Sequence, residues 1–310
     1  MDSPQVVKIG ENVKTFKFKK LDAFTTGISS GNPAGCIYLK STSDISEAEM
    51  QQIARELKGF VNEVIYLFPE NGGFFLKFYS SEREVDFCGH GTIAIMFDTI
   101  KNDPHLLRQQ LITIRVKQDY LAVRNEIAKT NSVYITAPQP RFLDLSISAG
   151  EIAKALKIEL KEFDGKYNFA MVNAGLSTLI VPIKDLKECL NIAPDLDELK
   201  GFCLCHDIDI ILVFTTKVAS GEYDYRTRVF APKYGYMEDP ATGAGNAALG
   251  YYLLNEKVWD GGRLSIEQGP SLEKPNIIRL STAREGDRTN VIFGGGAIVR
   301  MEGIYFLHGR

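Results

Sequence analysis

Cys88-Gly89-His90-Gly91-Thr92-Ile93-Ala94, continued by Ile95-Met96-Phe97, is a nearly all-apolar run with glycines at its start. About half a chain later, Thr242-Gly243-Ala244-Gly245-Asn246-Ala247-Ala248, continued by Leu249-Gly250-Tyr251-Tyr252-Leu253-Leu254, repeats the pattern. A helix that is apolar on every side is buried, so both runs predict core helices. Set one above the other, they match at both glycines and at the last alanine, and each follows an apolar strand and a polar loop. Such self-similarity predicts an internal duplication, with two pseudo-equivalent domains. The other reading is two unrelated helices that happen to begin with glycine.

Outward from these runs the signals are those of a β-rich chain. Thr15-Phe16-Lys17-Phe18-Lys19 alternates apolar and polar residues and reads as an edge or hairpin strand with its lysines facing water. Residues 25–35 are rich in Gly, Pro, Asn and Ser and read as loop, with a short strand at 36–39. Ser46 and Glu49 form a capping box for a helix ending near Gly59. Residues 64–68 and 74–79 are strands whose Asn71-Gly72 link predicts a hairpin. Residues 134–140 read as a linker, and Ser148 with Glu151 caps a short helix to about residue 156. Further strands are expected at 177–181, 208–214, 228–232 and 264–267, with a last one at 291–299 interrupted by Gly294-Gly295-Gly296. This is a mixed α+β organisation in two domains, 1–135 and 136–310, leaving the carboxy-terminal strand 295–310 able to cross back to the first.

Composition narrows the class. The chain has 310 residues, 45% hydrophobic and 24% charged, which excludes disordered and collagen-like classes. Its longest apolar stretches, such as Ile210-Ile211-Leu212-Val213-Phe214, fall far short of the roughly 18 to 20 residues of a membrane-spanning helix. The amino terminus lacks an apolar core flanked by small residues, so a cytoplasmic address is expected. Cys36, Cys88, Cys189, Cys203 and Cys205 show no framework spacing and are read as thiols. With 36 basic against 39 acidic residues, nothing builds the footprint that nucleic-acid binding needs.

Several residues could carry chemistry. Helix N-termini present open N–H groups and partial positive charge, so the ends near Gly89 and Gly243 would cradle carboxylates if the domains face each other. The alternative is that these glycines only allow close packing. His90, at the first helix start, is either a hydrogen-bonding site residue or a structural histidine. Asp239, before Pro240, is either catalytic or a turn residue. Glu63 lies just before an apolar strand, where partial burial would suit a general acid/base; an exposed loop carboxylate is the other reading. Cys203-Leu204-Cys205-His206 lacks zinc-knuckle spacing, and no metal site is expected. No Walker loop, Rossmann fingerprint, HExxH or GxSxG occurs, so no cofactor is expected.

Asp22-Ala23-Phe24 with Gly31-Asn32-Pro33-Ala34-Gly35, then Asn62-Glu63, Phe87-Cys88-Gly89-His90-Gly91-Thr92, Glu238-Asp239-Pro240-Ala241-Thr242-Gly243 and Glu267-Gln268-Gly269 resemble, in order, the phenazine-biosynthesis PhzF-like family. The resemblance implies a diaminopimelate epimerase-like fold: two pseudo-symmetric domains, each a curled β-sheet around a central helix, with the site between them. It implies a cofactor-independent isomerase and a homodimer. Glu63 would be the general acid/base moving a proton on a small carboxylated metabolite, with His90 and Asp239 assisting. Cys88, Gly89, Gly91, Thr242, Gly243 and Ala244 would line the substrate. The family's phenazine enzyme carries a serine where this chain has Ala244, which argues against phenazine synthesis itself. The Cys88 motif also resembles that of proline racemases, whose second cysteine would fall at Thr242. A two-thiol racemase is therefore disfavoured, while a Cys88-dependent epimerase or dehydratase, and a non-catalytic binding protein, stay open.

Overall fold

The computed structural model describes residues 13–117 and 119–309. In the first half, strand Val13–Ala23 pairs antiparallel with Asn32–Tyr38, which runs parallel to Glu63–Glu70. Glu63–Glu70 pairs antiparallel with Gly73–Ser80, which runs parallel to Leu111–Val116, and Asp119–Asn125 and Val133–Thr136 follow antiparallel. In the second half Ala170–Asn173, Ser177–Pro182, Ile210–Thr215, Tyr225–Phe230, Leu264–Gln268, Asn276–Glu285 and Arg288–Gly295 join in the same succession of antiparallel and parallel pairings. Each half also sets a 13-residue helix at the same point of that succession, Gly89–Lys101 in the first and Gly243–Asn255 in the second. Two unrelated helices would give no reason for this repetition. The fold is α+β, with two pseudo-symmetric domains, each a curled sheet around a buried helix.

The halves also share strands. Val133–Thr136 pairs antiparallel with Arg288–Gly295, and Ala297–His308 lies antiparallel along Val13–Ala23. Burial explains why both central helices read as apolar all round: one contiguous core contains side chains of both. Smaller apolar clusters lie under the outer helices Glu47–Glu56 and Leu196–Cys205. Both capping boxes form, Ser46 with Glu49 and Ser148 with Glu151, each worth about 1 kcal/mol to its helix. Glu70 pairs with Gly73, so Asn71-Gly72 is a two-residue turn, and Gly72 takes the positive φ (84°) that such turns require. All five cysteines are free thiols. Among the described residues, no helix is long and apolar enough to cross a membrane.

Four expectations are corrected. Lys17 faces water but Lys19 does not: its side chain is buried, with Nζ 2.9 Å from both carboxylate oxygens of Asp98 in the first central helix. Tyr38 donates to the same carboxylate at 2.6 Å, so a charge on a core helix is matched from the sheet around it. The loop expected to run to residue 35 ends earlier, because Asn32 already pairs with Ala23 and opens its strand. The linker expected at 134–140 begins as the end of strand Val133–Thr136, and only the proline-containing part is irregular. The three glycines do not interrupt one strand: Gly294 and Gly295 complete Arg288–Gly295, and Gly296 separates it from Ala297–His308.

Candidate active site

The first central helix begins where a strand-to-helix loop delivers Cys88 as its N-cap. Cys88 Sγ accepts from the Gly91 N–H at 3.3 Å, and Thr92 Oγ1 donates to the Cys88 carbonyl at 2.8 Å. Residue 91 has to be glycine, since a Cβ there would stand 2.6 Å from Ile65. His90, on the first turn, reaches Glu63, the first residue of strand Glu63–Glu70, with Nε2 3.2 Å from Oε2. Cys88 Sγ lies 3.5 Å from His90 Nδ1 and 3.8 Å from Glu63 Oε2. Glu63 and His90 keep side-chain exposures of 23% and 13%, so the pair is lodged in the protein yet open to a small molecule.

Asp239 is held from both domains. Its Oδ1 accepts from Asn32 Nδ2 at 2.9 Å, and its Oδ2 accepts from the Thr242 hydroxyl. Asn32 also donates to the Ala241 carbonyl and accepts from Asn62 Nδ2, both at 2.9 Å, and Asn62 is the neighbour of Glu63 in the chain. A short polar chain thus links the two acidic positions. Gln268 locks the far end: Oε1 accepts from the Thr242 N–H (3.0 Å) and Asn246 Nδ2 (2.7 Å), while Nε2 donates to the Asp239 carbonyl (2.8 Å).

The two helix starts meet at one ring. A Cβ at Gly89 would lie 3.1 Å from Phe293 Cζ, and one at Gly243 would lie 2.5 Å from Phe293 Cδ2. The ends differ in how they are capped. Cys88 occupies the Gly91 N–H, whereas the Thr242 hydroxyl is turned to Asp239 and caps nothing, leaving the first N–H groups of the second helix without a side-chain acceptor. Gly89, His90 and Ala244 are half-buried and reachable, while Gly91 and Thr242 are buried and already engaged.

Charge and burial compete at each ionisable group. Burial acts against the His90 imidazolium, but the Cys88 sulfur and the Glu63 carboxylate favour it, and the balance lies well above the ordinary histidine range. Burial pushes the Cys88 thiol up, against the pull of His90. Asp239 is pushed up to about 6, chiefly by burial, with Glu63 adding and Thr242, His90 and Asn32 opposing.

The Asp239 shift carries a sign. Its proton is held more tightly folded than unfolded, so this contribution to stability is complete below the ordinary carboxylate range and is lost as pH rises through about 6. Asp239→Asn keeps an acceptor for Asn32 and removes the buried charge. Its stability relative to the parent should rise between about pH 4 and pH 8, by at most about 3 kcal/mol. Denaturant melts at both ends of that range check this, and an unchanged difference would contradict it.

Cys203 is buried and Cys205 exposed on helix Leu196–Cys205, so the two thiols point apart. A pocket of about 710 Å³ is lined by Gly31, Pro33 and Pro240, chain neighbours of Asn32 and Asp239, together with Lys20, Lys274 and Arg300. Glu63 and His90 do not line it.

Two mirrored domains whose central helices bring their amino ends to one ring, with a carboxylate and an imidazole beside them, define the epimerase-like class of fold. Within it the chain belongs to the phenazine biosynthesis-like (PhzC-PhzF) family, whose model matches residues 21–303. An uncharacterized isomerase of Clostridium acetobutylicum is 28% identical over 302 residues, 93% of this chain and 97% of that one. The crystal structure of a Bacillus anthracis phenazine biosynthesis protein of the PhzF family superposes with a TM-score of 0.82 at 25% identity, covering 94% of this chain and 99% of that one. The fold extends to a hydroxyproline epimerase of Agrobacterium vitis, at a TM-score of 0.59 and 10% identity over 96% of this chain and 93% of that one.

Proposed function

We propose that the chain is a cofactor-independent isomerase that moves a proton on a small carboxylated metabolite, with Glu63 as the general acid/base. The observation that carries this reading is the Glu63–His90 pair, 3.2 Å apart and partly open, on the domain whose helix start shares Phe293 with that of the other domain. A substrate carboxylate would lie against the uncapped start of the second helix, at the half-buried Ala244, where the helix dipole favours an anion. Glu63 would take a proton from the adjacent carbon, the preorganised N–H groups would stabilise the charge that develops, and the proton would return at the same or a conjugated carbon. His90, as an imidazolium beside the carboxylate, orients Glu63 and sets an acid next to the base. Asp239, tied to Asn32 and Thr242, holds the second domain's helix start in place. The names of relatives such as the Clostridium isomerase agree with this class of reaction.

A Cys88 base is the less favoured reading, because burial holds its thiol protonated against the pull of His90 and of the Gly91 N–H. The test is incubation of the protein in D2O with a panel of amino, cyclic and unsaturated carboxylic acids. Deuterium should enter at least one of them at carbon, and Cys88→Ala should leave that exchange running. Absence of exchange across the panel would count against the isomerase, and loss in a folded Cys88→Ala would move the base from Glu63 to Cys88.

A further inference from the structure

The isomerisation gives the Cys88 sulfur no part, yet it stands in a closed triangle with the two groups that have one. Sγ, His90 Nε2 and Glu63 Oε2 are separated by 3.8, 3.8 and 3.2 Å. Zinc bound tetrahedrally by one sulfur at about 2.3 Å and by nitrogen and oxygen at about 2.0–2.1 Å sets its ligands roughly 3.3 Å apart for N and O and roughly 3.5 Å apart for S with either. The three separations come within a few tenths of an ångström of one face of a zinc tetrahedron; because Sγ lies nearer still to His90 Nδ1, at 3.5 Å, the imidazole ring has to turn to aim Nε2 at the centre of that face. All three donors lie within 4.8 Å of one another.

We propose that Glu63, Cys88 and His90 form a three-donor site for a borderline-soft divalent cation of the zinc type. Glu63 and His90 remain partly exposed, so a fourth ligand, water or an anion, could reach the ion, as at a site that keeps one place open. The helix start supplies what a coordinating thiolate needs, a Gly91 N–H aimed at Sγ and the positive end of the helix dipole. Coordination replaces the Cys88 S–H proton and the extra imidazolium proton of His90 by bonds to the ion, and both protons pass to the buffer. An ion held there occupies the carboxylate and the imidazole, so it stops proton transfer; this consequence rests on the role given to Glu63 above, whereas the binding does not.

Cobalt(II) serves as the probe, because its spectrum reports ligands independently of activity. The reduced, metal-stripped protein is titrated with Co2+ alone. One equivalent should produce a near-ultraviolet thiolate-to-cobalt band and the intense visible bands of a four-coordinate ion, both bleached by one equivalent of Zn2+. Cys88→Ala should abolish the thiolate band, and so should Cys88→Ser, which keeps an N-cap acceptor and guards against misfolding. Glu63→Gln and His90→Asn should each weaken binding by at least about tenfold, since even outer partners of metal ligands are worth about 10–100-fold. Cys205→Ser should change nothing. Only the pale spectrum of a six-coordinate ion, or a thiolate band that survives in the Cys88 variants, would overturn the site.

Discussion

Glu63→Gln should lower solvent deuterium incorporation into the turned-over acid by about 10²–10⁴-fold, the usual worth of a positioned general acid/base, or about 3–5 kcal/mol of barrier. The replacement keeps the length and shape of the side chain and an amide able to hydrogen-bond to His90, so the fold should survive. Glu63 opens its strand in parallel register with Ala34, its polar end is partly open, and no core packing depends on its charge. The melting temperature should fall only modestly, by the lost pairing of Glu63 with His90, while exchange collapses. His90→Asn should cost less, since the imidazole acts on the carboxylate rather than on the reacting carbon. Deuterium exchange followed by mass spectrometry, with melts run in parallel, separates the two effects. Equal exchange in the parent and in Glu63→Gln would remove Glu63 from the chemistry.

How far such a site is visible in the chain depends on the range of the interactions that make it. Features set by neighbours within one turn were legible. Ser46 with Glu49 and Ser148 with Glu151 read as capping boxes and form them, Asn71-Gly72 reads as a hairpin turn and makes one, and the two glycine-led apolar runs became the central helices. Features set by distant partners were not. Lys19 is placed in the core by Asp98, far along the chain, and nothing in Phe18-Lys19-Lys20 announces that partner. Asn32 sits in a stretch whose composition says loop, yet its side chain bridges Asn62 and Asp239. The hydrogen bonds that Gln268 makes to Thr242, Asn246 and Asp239 are likewise invisible until the sheet brings its strand beside the second helix. The chemistry-bearing types Glu63, Cys88 and His90 could be picked out by residue type and motif. The partners of Asn32 and Gln268 could not, because an amide in a sequence carries no sign of what it will bond.

The meeting of the two helix starts at Phe293 is where the second large effect is expected. Gly243→Ala places a methyl 2.5 Å from Phe293 Cδ2, and nearer still to Cε2, separations that packed carbon atoms do not sustain. The ring has little room to yield. Phe293 is 1% exposed, its strand is paired on both sides through Leu280 and Ile135, and Gly89 of the other helix start faces the same Cε2–Cζ edge of the ring. Overpacking of this kind costs about 1–3 kcal/mol and occasionally more. Alanine's better helix propensity recovers at most about 1 kcal/mol, and less at a helix's first residue. The net loss should be about 1–3 kcal/mol in denaturant melts. The functional loss should be larger, because the methyl drives apart the two helix ends proposed to cradle the substrate, and an error of about 1 Å in placement is enough for roughly 10²-fold in rate. Phe293→Leu should weaken the parent yet partly restore Gly243→Ala, giving a double-mutant coupling of at least about 1 kcal/mol in stability. If the two substitutions simply add, the ring is not what holds the helix starts together, and the convergence of the domains has to be sought in the Asn32–Asp239 bridge instead.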